Sequence, residues 1–137
     1  MNRALFSSKT PSHATPEALY RELDAEFRFT LDPCPLNDSQ IWDGALMSWA
    51  GHRVFCNPPY GRGIAGWLMK AHEAECAVYL LPARTDTRWW HNYALKADEI
   101  RFLRGRLKFG DAKNSAPFPS VVLVFRGTSG GPGGAKE

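Results

Sequence analysis

Residues 53–61 read RVFCNPPYG, a short apolar segment that changes abruptly into a proline-rich turn. The first four residues favour a buried strand. The two prolines end that strand, because a proline donates no backbone hydrogen bond and fixes its own backbone torsion. They also keep Asn57 out of the helical region. The stretch therefore predicts a rigid polar turn at the carboxyl end of a strand.

On the amino-terminal side of this turn, the sequence predicts one helix and one short strand. Thr15-Pro16-Glu17 combines a capping hydroxyl, a proline suited to the first helical position and an acid in the first turn. Apolar residues at helical spacing extend that helix over residues 16–26. Residues 28–32 (RFTLD) alternate in polarity and stop at Pro33, which indicates a strand that ends in an acid.

On the carboxyl-terminal side, helices and strands continue to alternate. The pattern predicts a helix over about 64–75, a buried strand over 76–81, and a helix over about 87–96 that a threonine can cap. Residues 99–109 indicate strand and turn, and residues 120–125 a final strand. Strands separated by helices favour an α/β fold, with a mostly parallel sheet of about five strands flanked by helices.

Three polar clusters follow predicted strands of this sheet. They are Asp32-Pro33-Cys34, Asn57-Pro58-Pro59-Tyr60 and Pro82-Ala83-Arg84. In parallel sheets, ligands bind at the carboxyl ends of the strands. We therefore expect the three clusters to form one site at one edge of the sheet.

The composition is that of one globular domain, with 137 residues of which 44% are hydrophobic and 23% charged. We expect the domain over residues 15–127, a flexible segment at 1–14 and a disordered glycine-rich tail at 128–137. No run approaches the roughly 20 apolar residues that a membrane span needs. The polar amino terminus has no apolar signal core. These features predict a cytoplasmic protein without a membrane partner.

Basic residues are concentrated in one part of the chain. Residues 84–113 carry eight basic and four acidic side chains, whereas residues 1–83 carry seven and nine. Such a segment fits either an anionic polymer such as nucleic acid or an ordinary solvated surface. The same two interpretations, a solvated strand face or contacts to phosphate, apply to the basic residues that alternate with apolar ones at Arg101, Arg104, Arg106 and Lys108.

Several other chemistries find no support in the sequence. The three cysteines form no C-x-x-C pair, so small buried thiols are the simplest interpretation. The four histidines show no metal-ligand spacing, and we expect no metal. No serine or cysteine has a matched base in a hydrolase motif.

The turn formed by Asn57-Pro58-Pro59-Tyr60, here called the NPPY turn, is the most informative chemical feature. Asn57 contributes a side-chain carbonyl, and the backbone carbonyl of Pro58 offers a second fixed acceptor beside it. Two adjacent acceptors suit an exocyclic –NH2 group, and Tyr60 offers an aromatic face for the ring that bears it. Accepting both hydrogens favours the tetrahedral nitrogen, whose lone pair can attack an electrophile. An adenine in duplex DNA must be flipped out to reach such a site. The alternative is a simple strand-ending turn.

Several further motifs follow in order: ATP at 14–16, FTLDPC at 29–34, Trp49, FCNPPYG at 55–61, Trp67, LLPARTDT at 80–87 with Trp89, and GRLKF at 105–109. With them the chain resembles the phage-type DNA N6-adenine methyltransferase family, a Dam-like family that depends on S-adenosylmethionine. The resemblance covers about residues 13–126. It implies a reduced Rossmann-like methyltransferase fold, methylation of the adenine N6 amino group, S-adenosylmethionine as cofactor, DNA as partner, and a phage or prophage origin in a bacterial host.

The resemblance also implies roles for individual residues. The target amine faces the catalytic residues Asn57, Pro58, Pro59 and Tyr60. The cofactor is bound by Thr15, Pro16, Asp32, Pro33 and Cys34, with Asp38 or Asp43 at its ribose. The carboxylate of Asp32 pairs with the α-ammonium group of the cofactor. We expect contacts to DNA at Arg62, Arg84, Asp86, Trp89, Arg104, Arg106 and Lys108, while one of the adjacent Trp89 and Trp90 packs in the core.

Two alternatives stay open. The same chemistry fits an RNA adenine or a protein glutamine, because both present an –NH2 group on a planar system, and the basic segment 84–113 favours nucleic acid. The second alternative is a non-enzymatic nucleic-acid-binding module derived from the same fold. The small size of the chain motivates it, as does Pro33-Cys34-Pro35 in place of the family's glycine-rich turn.

Overall fold

The computed structural model describes residues 14–34, 46–61, 63–110 and 113–127. Within these ranges, helices and strands alternate along the chain. The helices are α1 (Glu17–Phe27), α2 (Ile64–Met69) and α3 (Arg88–Asn92), with 3-10 helices at Lys70–Glu73 and Ala94–Lys96. The strands are β1 (Arg53–Cys56), β2 (Cys76–Pro82), β3 (Glu99–Phe102) and β4 (Ser120–Arg126).

The sheet corrects part of the predicted fold. The α/β class is confirmed, but the expectation of a mostly parallel sheet of about five strands is wrong. The described residues form a four-stranded sheet in the order β1-β2-β4-β3. β1 and β2 are parallel, whereas β4 is antiparallel to both β2 and β3. Parallel neighbours need a long crossover that is usually a helix. β4 returns antiparallel because no helix follows β3 in the described residues 103–110 and 113–119.

The predicted strand over residues 28–32 is reduced to a single bridge. Leu31 pairs in parallel with Val54 of β1, and its carbonyl accepts the N–H of Phe55 over 3.0 Å. The pairing cannot extend, because Arg28 has a left-handed backbone (φ 55°) and Pro33 has no N–H to donate. The segment nevertheless runs beside β1 in the same direction.

The two predicted helices after β1 are shorter than expected. The first ends as α-helix at Met69 and continues as a 3-10 turn to Glu73. The second ends at Asn92, because Tyr93 leaves the helical region with φ −128°. Thr87 caps this helix as predicted, since its hydroxyl accepts the N–H of Trp90 over 3.2 Å.

Helix α1 begins differently from the prediction. The residue that precedes its first turn is Pro16, and no side chain caps the helix. The Thr15 hydroxyl, expected as the cap, is therefore directed elsewhere. The bounds of the helix still agree with the predicted 16–26 to within one residue.

Helices cover both faces of the sheet. α1 packs on one face through Tyr20, Leu23 and Phe27, which share a core with alternate residues of the sheet: Phe55, Val78, Leu80, Val122 and Val124. α2 and α3 cover the other face, where Trp67 and Trp90 meet Val54, Cys56, Tyr79, Leu81, Val121 and Leu123. Trp90 is buried, which confirms the prediction of one core tryptophan, whereas Trp89 is half-buried.

This topology brings several polar positions to one edge of the sheet, here called the carboxyl edge. It holds the residues that follow Leu31, β1 and β2, namely Asp32, Asn57 and Ala83. The amino end of β4 lies at the same edge, because Ser120 pairs with Pro82. The three clusters expected at one edge are therefore found there.

At the opposite edge of the sheet, the end of β4 packs closely against the turn that precedes β2. The N–H of Gly127 donates to the carbonyl of Glu75 over 2.8 Å. A Cβ at position 127 would lie 2.3 Å from the carbonyl oxygen of Ala74. Glycine at position 127 thus lets β4 approach the turn before β2 more closely than any side chain would allow.

Candidate active site

Asn57 lies at the carboxyl end of β1, where hydrogen bonds reach both ends of its side-chain amide. The residue is only 2% exposed. Its amide nitrogen donates to the hydroxyl of Thr15 over 3.0 Å, and its amide oxygen accepts from the hydroxyl of Tyr60 over 3.0 Å. The amide group is therefore held from both of its ends, by two residues that are 45 positions apart in the chain.

Tyr60 closes the NPPY turn with both its ring and its hydroxyl. The ring makes edge-on contacts with Phe118 and Phe109, at centroid distances of 5.8 and 6.2 Å. Burial raises the pKa of Tyr60, so the hydroxyl stays protonated and remains a hydrogen-bond donor. The carbonyl of Leu80 in β2 lies 3.5 Å from that hydroxyl. Tyr60 thus joins Asn57 to the neighbouring strand.

The residue after Tyr60 explains why the turn ends in glycine. Gly61 has φ +125°, a conformation that side-chain-bearing residues rarely adopt. From there the chain enters α2, which begins at Ile64. The glycine therefore lets the chain leave the rigid turn directly into the helix that covers the adjacent face.

Asp32 places a carboxylate at the same edge. The residue is 9% exposed, and its Oδ1 accepts the backbone N–H of Cys34 over 3.3 Å. This short local contact fixes the carboxylate in a turn. The next two residues, Pro33 and Cys34, are buried as well.

Two of the three cysteines, Cys34 and Cys56, lie beside this edge, whereas Cys76 begins β2 at the opposite edge. Cys34 and Cys56 are buried, as predicted for small core thiols, whereas Cys76 is half-buried. Burial raises the pKa of the Cys56 thiol, so no thiolate nucleophile is available there.

A cavity of about 530 Å³ opens beside Tyr60 on the face that α2 and α3 cover. Its wall combines an aromatic ring, a guanidinium group and apolar side chains, and the lining residues are Tyr60, Gly61, Ile64, Pro82, Arg84, Thr87 and Trp89. The guanidinium carbon of Arg84 lies 5.2 Å from the centre of the Phe118 ring. The Thr87 hydroxyl donates to the carbonyl of Arg84 over 2.8 Å, which fixes the backbone that carries this cation.

Comparison with known proteins identifies the family to which this chain belongs. The family model described as DNA N-6-adenine-methyltransferase (Dam) matches residues 5–129. The chain belongs to the Dam family. No curated protein and no solved structure matches it. The resemblance based on the ordered motifs is therefore confirmed at the level of the family.

Some of the residues expected at the site of this Dam-family chain are brought together, and others are not. Thr15, Asn57 and Tyr60 are in direct contact. Tyr60, Arg84 and Trp89 share the wall of the cavity. Asp86 is exposed and does not line it. Asp38, Asp43 and Arg62 lie outside the described residues.

The expected basic strand ends early. β3 stops at Phe102, so Arg104, Arg106 and Lys108 lie on an irregular segment beyond it, where all three are exposed. Arg101 does not join them. Its guanidinium donates to both carboxylate oxygens of Glu26, over 2.8 and 2.7 Å, and to Glu99 over 2.9 Å. Arg101 therefore links α1 to the sheet.

The sequence interpretation missed several residues of the site. Ile64 and Thr87 line the cavity, and Phe109 and Phe118 hold the ring of Tyr60. A signal existed for Phe118, because prolines flank it directly before the last strand. No comparable signal marks Ser120, whose hydroxyl is buried and has no hydrogen-bond partner among the described residues.

Two general properties complete the description of this Dam-family chain. None of the helices in the described ranges is both long and apolar enough to span a membrane. Within the same ranges, no three histidine, cysteine, aspartate or glutamate side chains cluster as a metal site would require.

Proposed function

We propose that this chain transfers a methyl group from S-adenosylmethionine to the N6 amino group of adenine in DNA. The observation that carries the proposal is the position of Asn57. Its amide oxygen is a fixed acceptor at the carboxyl edge, and it accepts a hydrogen bond from Tyr60. The ring of Tyr60 belongs to the aromatic and cationic wall of the cavity, which Asn57 itself does not line. Membership of the Dam family supports the same reaction.

The described residues fit the cofactor. An α-ammonium group requires a carboxylate, and Asp32 supplies one that its own turn holds in place at the carboxyl edge. The buried Ser120 hydroxyl at the same edge has hydrogen-bonding capacity that no described residue uses. When bound, S-adenosylmethionine supplies an electrophilic methyl group. In this proposal Asp32 holds the ammonium group, and Pro33 and Cys34 shape the turn around it.

Asn57 prepares the adenine for attack. The amino nitrogen of adenine is a weak nucleophile because its lone pair is delocalised into the ring. A carbonyl oxygen has two lone pairs, so the Asn57 oxygen can accept an N6–H while it keeps its hydrogen bond from Tyr60. With the Pro58 carbonyl as the second acceptor, the turn favours the tetrahedral nitrogen and stabilises the developing positive charge. This is catalysis by positioning and by electrostatics.

The cavity beside Tyr60 is the proposed place of the flipped base. Its volume of about 530 Å³ accommodates a purine, and Trp89 offers an aromatic face in its wall. Base-aromatic stacking contributes about 1–3 kcal/mol per base and offsets part of the cost of unstacking the base from the duplex. Arg84 carries a guanidinium in the same wall, suited to the phosphate of the flipped nucleotide.

The test measures the reaction and the role of Asn57 together. Purified protein is incubated with S-adenosylmethionine and unmethylated duplex DNA, and the nucleosides are analysed by mass spectrometry. We expect N6-methyladenine with the wild type. Asn57→Ala is expected to lose about 10²–10³-fold in turnover, because it removes one fixed acceptor, while calorimetry shows unchanged cofactor affinity. Asn92→Ala, which removes an exposed amide in α3, is the matched control and is expected to keep full activity.

Other outcomes select the alternatives. Cofactor binding without methylated DNA, followed by methylation of RNA or of a glutamine-containing protein, overturns the choice of DNA. Absence of both cofactor binding and product identifies a non-enzymatic nucleic-acid-binding module. Full activity of Asn57→Ala contradicts the proposed role of its amide.

A further inference from the structure

Thr15 occupies an unexpected position for a residue that precedes a helix. Its side chain does not cap α1, whose first turn has no side-chain cap. The residue is 7% exposed, and its hydroxyl accepts the hydrogen bond from the Asn57 amide over 3.0 Å. A buried threonine hydroxyl is therefore directed at the side chain on which the proposed chemistry depends.

The backbone around Thr15 is fixed on both sides. The carbonyl of Ala14 accepts the N–H of Gly110 over 3.0 Å, and the carbonyl of Pro16 accepts the N–H of Tyr20 over 3.0 Å. Tyr20 in turn packs edge-on against Phe55 of β1, with 5.2 Å between ring centroids. Since Phe55 lies two residues before Asn57, the packing of α1 on β1 fixes the distance between Thr15 and Asn57.

The amide of Asn57 needs such a support. The terminal torsion of an asparagine side chain has broad energy minima, so the orientation of the amide plane depends on the hydrogen bonds at its two ends. Tyr60 holds the oxygen end and Thr15 holds the nitrogen end. Without the Thr15 hydroxyl, the amide nitrogen loses this hydrogen bond, and a rotation of the amide in response moves the oxygen away from its place.

We infer that Thr15 is a positioning residue of the methyl-transfer site, which orients the Asn57 amide so that its oxygen faces the target amino group. The inference rests on the proposed function. It differs from the role that the family resemblance implies, in which Thr15 contacts the cofactor. Thr15 here acts through Asn57, and its contribution is to turnover rather than to cofactor affinity.

The experiment compares Thr15→Val with Thr15→Ser in the full chain. Valine keeps the shape of threonine but removes the hydroxyl, whereas serine keeps the hydroxyl. Single-turnover formation of N6-methyladenine is measured with DNA and S-adenosylmethionine both saturating, and cofactor affinity is measured by calorimetry. We expect Thr15→Val to slow the reaction about tenfold or more, because it removes one hydrogen bond that positions the Asn57 amide. Cofactor affinity is expected to stay within about twofold of wild type. Thr15→Ser is expected to restore most of the rate.

Thr30→Val is the matched control for the substitution itself. The Thr30 hydroxyl accepts the N–H of Arg53 over 2.9 Å, at the amino end of β1 and therefore at the edge opposite Asn57. The same hydroxyl lies 3.0 Å from Nδ1 of His52, so its removal deletes hydrogen bonds at an exposed site without touching the amide of Asn57. We expect Thr30→Val to react at the wild-type rate. If Thr15→Val does not fold, Thr15→Ala replaces it in the comparison with Thr15→Ser, because alanine also lacks the hydroxyl and is smaller than valine.

Three results overturn the inference. A wild-type rate in Thr15→Val shows that the hydroxyl positions nothing. Weaker cofactor binding with a full rate at saturation makes Thr15 a cofactor residue instead. A loss of rate that Thr15→Ser does not restore shows a packing effect of the side chain. A wild-type protein that binds DNA and cofactor yet forms no N6-methyladenine is a different result, because it overturns the proposed function and this inference with it.

Discussion

The β1–β2 pair and the β3–β4 pair share the same two layers of helices, but they end in different kinds of residue. β1 and β2 are parallel and fully buried except at their first residues, and both run into polar turns at the carboxyl edge. β3 is only half-buried, and its charged residues make ion pairs: Arg101 with Glu26 and Glu99, and Glu99 with Arg126.

The difference follows from strand direction. Two parallel neighbours deliver two carboxyl ends to one place, so the NPPY turn and Arg84 meet beside the same cavity. In an antiparallel pair the two carboxyl ends lie at opposite edges of the sheet, so only one of the two strands ends at the carboxyl edge. The parallel half is therefore where we expect substitutions to change the reaction. The antiparallel half, apart from Ser120 at the carboxyl edge, is where we expect them to change stability.

Leu123→Ala in β4 is expected to have the largest effect on stability. It tests the expectation that the antiparallel half contributes to stability and the parallel half to the reaction. Leu123 is fully buried and pairs with Tyr79 of β2. Its truncation leaves a cavity in the core, so we expect the free energy of unfolding to fall by about 3 kcal/mol. Urea denaturation measures that loss, and turnover per folded molecule is expected to be unchanged. Leu95→Ala, at an exposed position, is the control with little effect on either. A lower turnover of folded Leu123→Ala contradicts this expectation.

The basic segment after β3 tests whether the antiparallel half contributes to stability alone. If Arg104, Arg106 and Lys108 contact phosphates, the antiparallel half contributes to DNA binding as well. Replacing all three by alanine is then expected to reduce the slope of log K against log salt by about 2–3, roughly 0.9 per lost phosphate contact. Fluorescence anisotropy with duplex DNA measures the slope. Arg21→Ala, an exposed arginine on α1, is the control. An unchanged slope in the triple variant assigns the segment to the solvated surface.

The smallest expected effect concerns acid stability. Hydrogen bonds from Arg101 lower the pKa of Glu26 and the pKa of Glu99 below the ordinary value of 4.5. A carboxyl group with a lowered pKa stabilises the fold above pH 4.5, and this contribution is lost as the pH falls through the lowered pKa. Both carboxylates are largely exposed, so the effect is below about 1 kcal/mol. Thermal unfolding between pH 3 and pH 6 is expected to show a shallower pH dependence in Arg101→Met than in wild type. Equal slopes contradict the assigned cause.

The sequence predicted the local features better than the long-range ones. The strand into Asn57, the helix before it and the Thr87 cap all depend on neighbouring residues, and the structure has them. The expectation of a mostly parallel sheet of about five strands was wrong. It followed from the general alternation of helices and strands, although residues 99–109 were predicted as strand and turn and so offered no helix to carry a parallel crossover to β4.

The same limit applies to the site. The NPPY turn was evident from its prolines, and the clustering of Asp32, Asn57 and Arg84 at one edge followed from strand order. The contact between Thr15 and Asn57 was not evident, because 42 residues separate them and the threonine has an ordinary use as a helix cap. The packing of Tyr20 against Phe55, a tertiary contact, helps to place its hydroxyl beside Asn57 instead.

The close approach of Gly127 to the turn before β2 has a practical consequence for handling the protein. The described chain leaves the sheet there, at the edge opposite Asn57, and the N–H of Gly127 is tied to the carbonyl of Glu75. A biotin or a sensor-chip linker attached beyond this residue would present the carboxyl edge, with the proposed site, to the solution. The same linker placed before Thr15 would sit beside the Asn57 amide, to which the proposed function assigns the reaction, so immobilised binding measurements should be anchored through the carboxyl-terminal side.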